Sequence, residues 1–386
     1  MHRIAVAWLA WEMTHSALWV GLVAFCDLAP ATVISPIAGA IADRVDRLRL
    51  ATISQAVIGL EAATVATLVA TGAMRIEYLL VLELISGTAA SFAQPARQTL
   101  MPGVVGPGDL PAAVACNSLV FNIARFIGPA LAGPVIAGFG VAPAVACNAV
   151  AYLSAVVTMP MLSVDPAHRR GHPATGSLLS EVTEGIRYVA RHPGLGPLLL
   201  YAASLGILLR GVQELLPPYV ERLFGRGAES LAMLTACFGI GALVAGLWLA
   251  SRGRIAGATR IAILGGLLQA LATAGFVATG WFGVGLLCAA AIGATASLHG
   301  ISVQQLAQTA AAPEMRGRVL ALWGLITRAC PALGAIMLGA AGEAYGLRIP
   351  TLVGVLLALL AFAWGMTRYR RIEAELESPP DGGENR

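Results

Sequence analysis

Residues 39–50 read GAIADRVDRLRL, and this stretch decides the fold. The preceding positions, 17–42, are almost wholly apolar. Asp43, Arg44, Asp46, Arg47 and Arg49 then crowd together before apolar residues resume. A greasy segment that ends in mixed charge is the signature of a chain leaving a bilayer. Composition agrees. The chain is 57% hydrophobic and 12% charged, whereas a soluble domain is about a quarter charged. Backbone polar groups in lipid must be satisfied within their own segment, so the apolar runs are helices. They show none of the ten-residue alternation of a membrane strand.

Working outward, apolar spans fall at 4–13, 17–42, 50–72, 77–96, 110–139, 142–163, 195–218, 229–251, 259–280, 282–309, 318–342 and 348–367. The expected fold is an all-α integral membrane bundle of twelve spans arranged six plus six. Residues 1–163 form the first half, 164–194 a connector, 195–367 the second half and 368–386 a disordered cytoplasmic tail. In the connector, Leu178, Leu179, Val182, Ile186 and Val189 have near-helical spacing, which predicts an amphipathic helix on the membrane surface. Placing 43–49 in the cytoplasm gives that side Arg44, Arg47, Arg49, Arg97, Arg169, Arg170, Arg187, Arg191, Arg252, Arg254, Arg260, Arg316 and Arg318. The outside receives Arg75, Arg222, Arg226 and Arg348. The positive-inside rule then puts both termini in the cytoplasm.

The halves echo each other. ARFIGPALAG at 124–133 and TRACPALGA at 327–335 each carry an intramembrane Arg followed by Pro-Ala-Leu. RQTLMP at 97–102 and AQTAAAP at 307–313 precede them in the same order. A parallel repeat with a site between its halves is a transporter architecture.

Charges inside the spans are the candidate working residues, because each costs at least ~2.5–3.5 kcal/mol at the bilayer centre. Arg125 and Glu61 lie near mid-span; Glu83 and Asp27 lie toward the outer half. Arg125 is expected to pair with Glu61 or Glu83, and proton uptake by the acid then releases it. A static ion pair that fixes helix packing is the alternative. In span 7, Arg210 and Glu214 are four apart, hence on one helical face. They either pair with each other or hold opposite charges of a substrate. With Arg328 in span 11, Arg210 makes an electropositive second half, and Glu12 and Trp11 are further cavity candidates. His299 is expected to be hydrogen-bonded rather than proton-carrying.

Several function classes are excluded or disfavoured. Every basic residue is Arg, so no P-loop lysine exists and the chain carries no ATPase of its own. The six Cys lie in separate apolar runs without a CxxC, and His168, His172 and His192 lack an acidic ligand pattern. No metal site, cofactor or nucleic-acid partner is expected. No constellation of His, Asp and Glu at one membrane face suggests an enzyme, and no long extramembrane stretch suggests a sensor or scaffold.

The motif GAIADRVDRLRL resembles the loop signature of the major facilitator superfamily. PARQTL, NSLVFNIARFIGPALAG, EGIRYVARHP and RGRVLAL resemble its branch of enterobactin-type siderophore exporters and macrolide efflux proteins. The resemblance implies a proton-driven exporter of a drug-like or siderophore-like molecule, working by alternating access in a bacterial inner membrane. It implies that Gly39, Asp43, Arg44 and Arg47 form a cytoplasmic gate between the halves. It also implies that Gly128, Pro129 and Gly133 belong to an antiporter-type helix motif. Proton-coupled uptake in the same fold is the alternative, and a monomer is expected. The first span would cover about 15 Å against a bilayer core of about 30 Å. It resembles the second half of the family's first helix. This predicts a start upstream of Met1, by roughly 20–30 residues.

Overall fold

The structure is a computed structural model that describes residues 1–42, 45–105, 109–165, 178–252 and 256–377. Its long elements among these residues are all α-helices. The helices are α1 (His2–Thr14), α2 (Ala17–Ala42), α3 (Arg47–Ala70), α4 (Ile76–Val104), α5 (Leu110–Phe139), α6 (Val141–Thr158) and α7 (Leu178–Arg191). They continue as α8 (Leu195–Leu208), α9 (Gly211–Glu214), α10 (Leu216–Phe224), α11 (Ala228–Arg252), α12 (Ala258–Ala278), α13 (Phe282–Ala310), α14 (Arg316–Tyr345) and α15 (Arg348–Glu377). Among the described residues, ten helices are long and apolar enough to cross a membrane.

The chain forms two compact units. The first is Met1–Leu178 with Leu215–Met233; the second is Leu179–Glu214 with Leu234–Arg386. Residues 215–233 therefore group with the first unit, where the apolar pattern alone assigns them to the second half. Within the first unit α3 packs on α4 and α6. Within the second, α12 packs on α13 and α15. These are the third, fourth and sixth spans of each half, so the same pairing order recurs. That is the structural counterpart of the sequence echo.

The opening stretch explains the start of α3. Asp46 is its N-cap, and Oδ1 accepts from the backbone N–H groups of Leu48 and Arg49 at 2.9 and 3.0 Å. A capping carboxylate satisfies two of the N–H groups that a helix start leaves open. Asp46→Ala is expected to destabilise the protein by about 1 kcal/mol, read as a lowered Tm in detergent. Asp43 and Arg44 lie outside the described residues, as do Gly39 beyond its backbone and the side chains of Arg125 and Pro129.

Three expectations change. The run 195–218 is not one helix: α8 ends, Leu209 and Arg210 form a turn, and α9 begins at Gly211. A Cβ at Gly211 would lie 2.6 Å from the carbonyl carbon of Gly334, so glycine allows the two backbones to touch here. Arg210 thus stands in the turn ahead of α9, and Glu214 is the last residue of α9. Second, the tail is helical from 368 as far as Glu377, with Ile372 and Leu376 buried. Glu377 accepts from the backbone N–H of Gly257 at 2.5 Å and of Thr259 at 2.6 Å, which caps α12. Third, α7 is indeed a helix, but it docks on its own unit. Glu184 pairs with Arg318 at 2.9 Å, and the Tyr188 hydroxyl accepts from Ala312 N–H at 3.2 Å. Val189 is buried while Ile186 stays exposed. Beyond α7, His192 Nδ1 accepts from the N–H groups of Gly194 and Leu195, both at 3.2 Å, and so caps α8. Partial burial holds this imidazole below its ordinary pKa, against an upward pull from Glu375.

Candidate functional site

Membrane-depth acids converge inside the first unit. Glu61 comes from α3, Glu83 from α4 and Asp27 from α2, each helix placing one carboxyl inward. Glu61 and Glu83 are 3% and 2% exposed. Helix α1 supplies the basic partners. His2 Nε2 lies 3.0 Å from Glu83 Oε1 and 3.7 Å from Glu61 Oε2. Arg3 Nε lies 3.2 Å from Asp27 Oδ2. Neither oxygen of Glu61 has a hydrogen-bond partner among the described residues, although Ser86 is near. A cluster of two carboxylates and one imidazole carries net charge −1 when the ring is protonated. One further proton makes it neutral, which is the unit step a proton-coupled cycle needs. The His2 nitrogen and the two Glu oxygens lie within 4.8 Å of one another, a spacing that metal ligands also adopt. The expectation of no metal site did not weigh His2.

Helices α2 and α4 meet closely beside this cluster. A Cβ at Gly87 would fall on the Asp27 carbonyl oxygen, so only glycine lets α4 approach Asp27 this tightly. His2 is the member of this cluster that sequence reading does not single out. Its signal is a histidine beside an apolar run.

A second cluster sits at the other end of α1. Trp11 is 1% exposed and donates through Nε1 to Glu221 Oε2 at 2.5 Å. Arg222 lies over the Trp11 ring at 5.0 Å and donates to the His15 carbonyl at 2.9 Å. Trp11 is therefore packed, and it does not border the cavity that Glu12 lines. Glu12 accepts from Trp8 Nε1 at 2.5 Å and borders that cavity of about 460 Å³ with Arg226, Glu229 and Ser230.

In the second unit, Arg210 borders a small cavity together with Gln269, His299, Trp323 and Thr327. Glu214 and Arg328 are half-buried and do not line it. His299 is hydrogen-bonded as expected, with Nδ1 2.8 Å from the Ala262 carbonyl. In the first unit, Gly133 on α5 is buried against Ala232 of α11, and Gly128 lies near the Met1 nitrogen.

The family model of transmembrane secretion effectors matches residues 1–381. The chain belongs to that family of major facilitators. As a facilitator it is a transporter and not an enzyme. It is 25% identical to the staphyloferrin A transporter of Staphylococcus aureus, over 98% of this chain and 95% of that one. It is 26% identical to the multidrug efflux pump Tap of Mycolicibacterium fortuitum, over 98% and 93%. It is 27% identical to the enterobactin exporter EntS of Escherichia coli, over 90% and 84%. Solved structures agree on the fold. A bacterial homologue of the human lysosomal transporter Spinster superposes with TM-score 0.75, at 16% identity over 98% of this chain and 95% of that one. The nucleoside transporter NupG gives 0.69, at 16% identity over 95% and 96%. The facilitator fold foreseen from GAIADRVDRLRL thus stands, as does the kinship with siderophore and drug exporters.

Proposed function

We propose that this facilitator exports a drug-like or siderophore-like small molecule in exchange for protons, by alternating access across a bacterial inner membrane. The observation that carries the proton step is the convergence of Glu61 and Glu83 on His2, with Glu61 buried and unpartnered by hydrogen bonds. A carboxylate in that position is stabilised when it takes up a proton and destabilised when it loses its cationic neighbour. Movement of α1 relative to α3 and α4 alternates these conditions. Asp27, paired with Arg3, belongs to the same network. Arg125 remains part of the proposal as a second cation. The export direction draws on the names of the relatives, two of which are an efflux pump and an exporter.

The gate assigned to Gly39, Asp43, Arg44 and Arg47 completes the cycle. Charges at a helix–water boundary form ion pairs when helix ends meet and release them when they part. The arginine asymmetry puts that gate and both termini in the cytoplasm, and a monomer suffices for the cycle.

Everted vesicles carrying the protein test the reading. With an acid-inside pH gradient and a pH-sensitive dye, export by antiport collapses the gradient when substrate is added outside. Candidate siderophores and drugs are added one at a time, with and without a chelator. Substrate-dependent collapse that survives chelation is the expected result. Acidification on substrate addition would reverse the direction. Collapse abolished by the chelator would make a metal ion a requirement of the cycle alongside the proton.

A further inference from the structure

Three helices of the first unit each bring one metal-ligating side chain to a single point. His2 stands at the start of α1, Glu61 on α3 and Glu83 on α4. A tetrahedral ion with bonds of about 2.0–2.2 Å holds its ligand atoms about 3.3–3.6 Å apart. His2 Nε2 lies 3.0 Å from Glu83 Oε1 and 3.7 Å from Glu61 Oε2, within a few tenths of an ångström of those edges. All three residues bring a ligand atom within 4.8 Å of the others, so small side-chain rotations close the third edge.

Burial is a second and independent observation. Glu61 is 3% exposed, and neither of its oxygens has a hydrogen-bond partner among the described residues. Polar atoms at such depth are ordinarily satisfied. A proton serves one oxygen of one acid, whereas a dication engages all three groups together. Charge agrees. Two carboxylates and a neutral imidazole carry −2, which a dication cancels. With the ring proton on His2 Nδ1, Nε2 presents its lone pair to the ion.

The donor set decides the class of ion. Calcium takes about six to eight oxygens and magnesium an octahedron of them, whereas imidazole suits zinc and its first-row neighbours. Three protein ligands with water in the fourth position make an open zinc geometry. His2 Nδ1 has no acceptor among the described residues. The site therefore lacks the outer-shell bond that adds about 10–100-fold in affinity, and its ion exchanges.

We infer that His2, Glu61 and Glu83 form a reversible site for a zinc-class divalent cation. Seated there, the ion ties α1 to α3 and α4. Restraint of transport by that tie rests on the proton reading above; binding itself does not. Chelation leaves the cycle free to run.

Equilibrium binding tests the site without a gradient or a substrate. The purified full-length protein in detergent, stripped with a chelator, is titrated with Co²⁺ and then with Zn²⁺. Bound Co²⁺ should show intensified visible absorption, the mark of tetrahedral rather than aqua coordination. Zn²⁺ should displace it and excess Mg²⁺ should not. Zn²⁺ should also raise the Tm of the wild type. His2→Ala and Glu61→Gln should each weaken Zn²⁺ binding by at least about tenfold. Glu61→Gln preserves shape, so a loss of Zn²⁺ in that folded variant is the loss of a ligand. His15→Asn should bind Zn²⁺ as the wild type does, because His15 lies beside Glu221 at the other end of α1. Absence of the Co²⁺ signature, undiminished Zn²⁺ binding in both ligand variants, or its loss in His15→Asn would each overturn the site. Undiminished binding would mean that other side chains hold the ion adventitiously. None of these outcomes decides whether Glu61 carries protons.

Discussion

Glu61→Gln is expected to abolish proton-driven transport while leaving the protein folded and inserted. The substitution preserves shape and removes one negative charge from a cluster that holds two carboxylates and one imidazole. Glu61 is the member whose oxygens lack hydrogen bonds. A charge at membrane depth costs at least ~2.5–3.5 kcal/mol, so the neutral amide should raise Tm or leave it unchanged. Substrate-dependent collapse of an acid-inside gradient should fall by at least about tenfold, a barrier change of 1.36 kcal/mol or more. Glu83→Gln tests the other limb. Glu83 already accepts from His2 at 3.0 Å, so this variant should both impair transport and loosen α1. Wild-type gradient collapse in Glu61→Gln would sink the coupling role. Loss of folding in Glu61→Gln would instead make the cluster a static ion pair.

How far this site was legible follows from where each residue stands. Glu61, Glu83 and Asp27 announce themselves, because an acid inside an apolar run has no cheap reason to be there. Their common partner did not. Arg125 is the cation that depth suggests, and its side chain lies outside the described residues; among the described residues His2 and Arg3 reach the acids. Sequence depth ranks residues along one span and is silent on which faces meet. Trp11 is ambiguous for a related reason: an aromatic in a span fits a cavity wall or a packed core equally well, and its burial and its bond to Glu221 appear only in the fold. Most span positions agree with the helices to within a few residues because hydropathy reports them directly, though α4 runs on past 96 to Val104. The break at Leu209–Arg210 is not legible, since an apolar run looks continuous whether or not its helix is. The extension of α15 did leave a trace. Ile372 and Leu376 are four apart in an otherwise polar stretch, one apolar stripe that buries against its own unit. Asp46 likewise had the residue type and position of an N-cap, but the arginines around it invited a purely electrostatic reading.

Gly133→Ala should impair transport more than any other single-methyl change in the α5 motif. A Cβ built on Gly133 falls on the Ala232 Cβ. The next atoms it meets, Ala232 Cα and the Ala228 carbonyl oxygen, lie at 3.4 and 3.6 Å, ordinary contact distances. One methyl therefore stands between clash and fit. Overpacking of this kind costs about 1–3 kcal/mol. If it acts on this conformation alone, the population shifts by roughly fivefold to a hundredfold. Gradient collapse should drop accordingly, while the amount of inserted protein stays level because hydropathy barely changes. Gly128 makes a useful contrast, since among the described residues its added Cβ would meet the Met1 nitrogen at 3.3 Å and nothing nearer. The decisive experiment is the pair. Ala232→Gly removes the obstructing methyl, so Gly133→Ala with Ala232→Gly should recover most of the activity, with a coupling of about 0.5–3 kcal/mol. A double variant no better than Gly133→Ala would mean that Gly133 serves some purpose other than the close approach of α5 to α11. The motif would then owe its place in this transporter to helix flexibility rather than to packing.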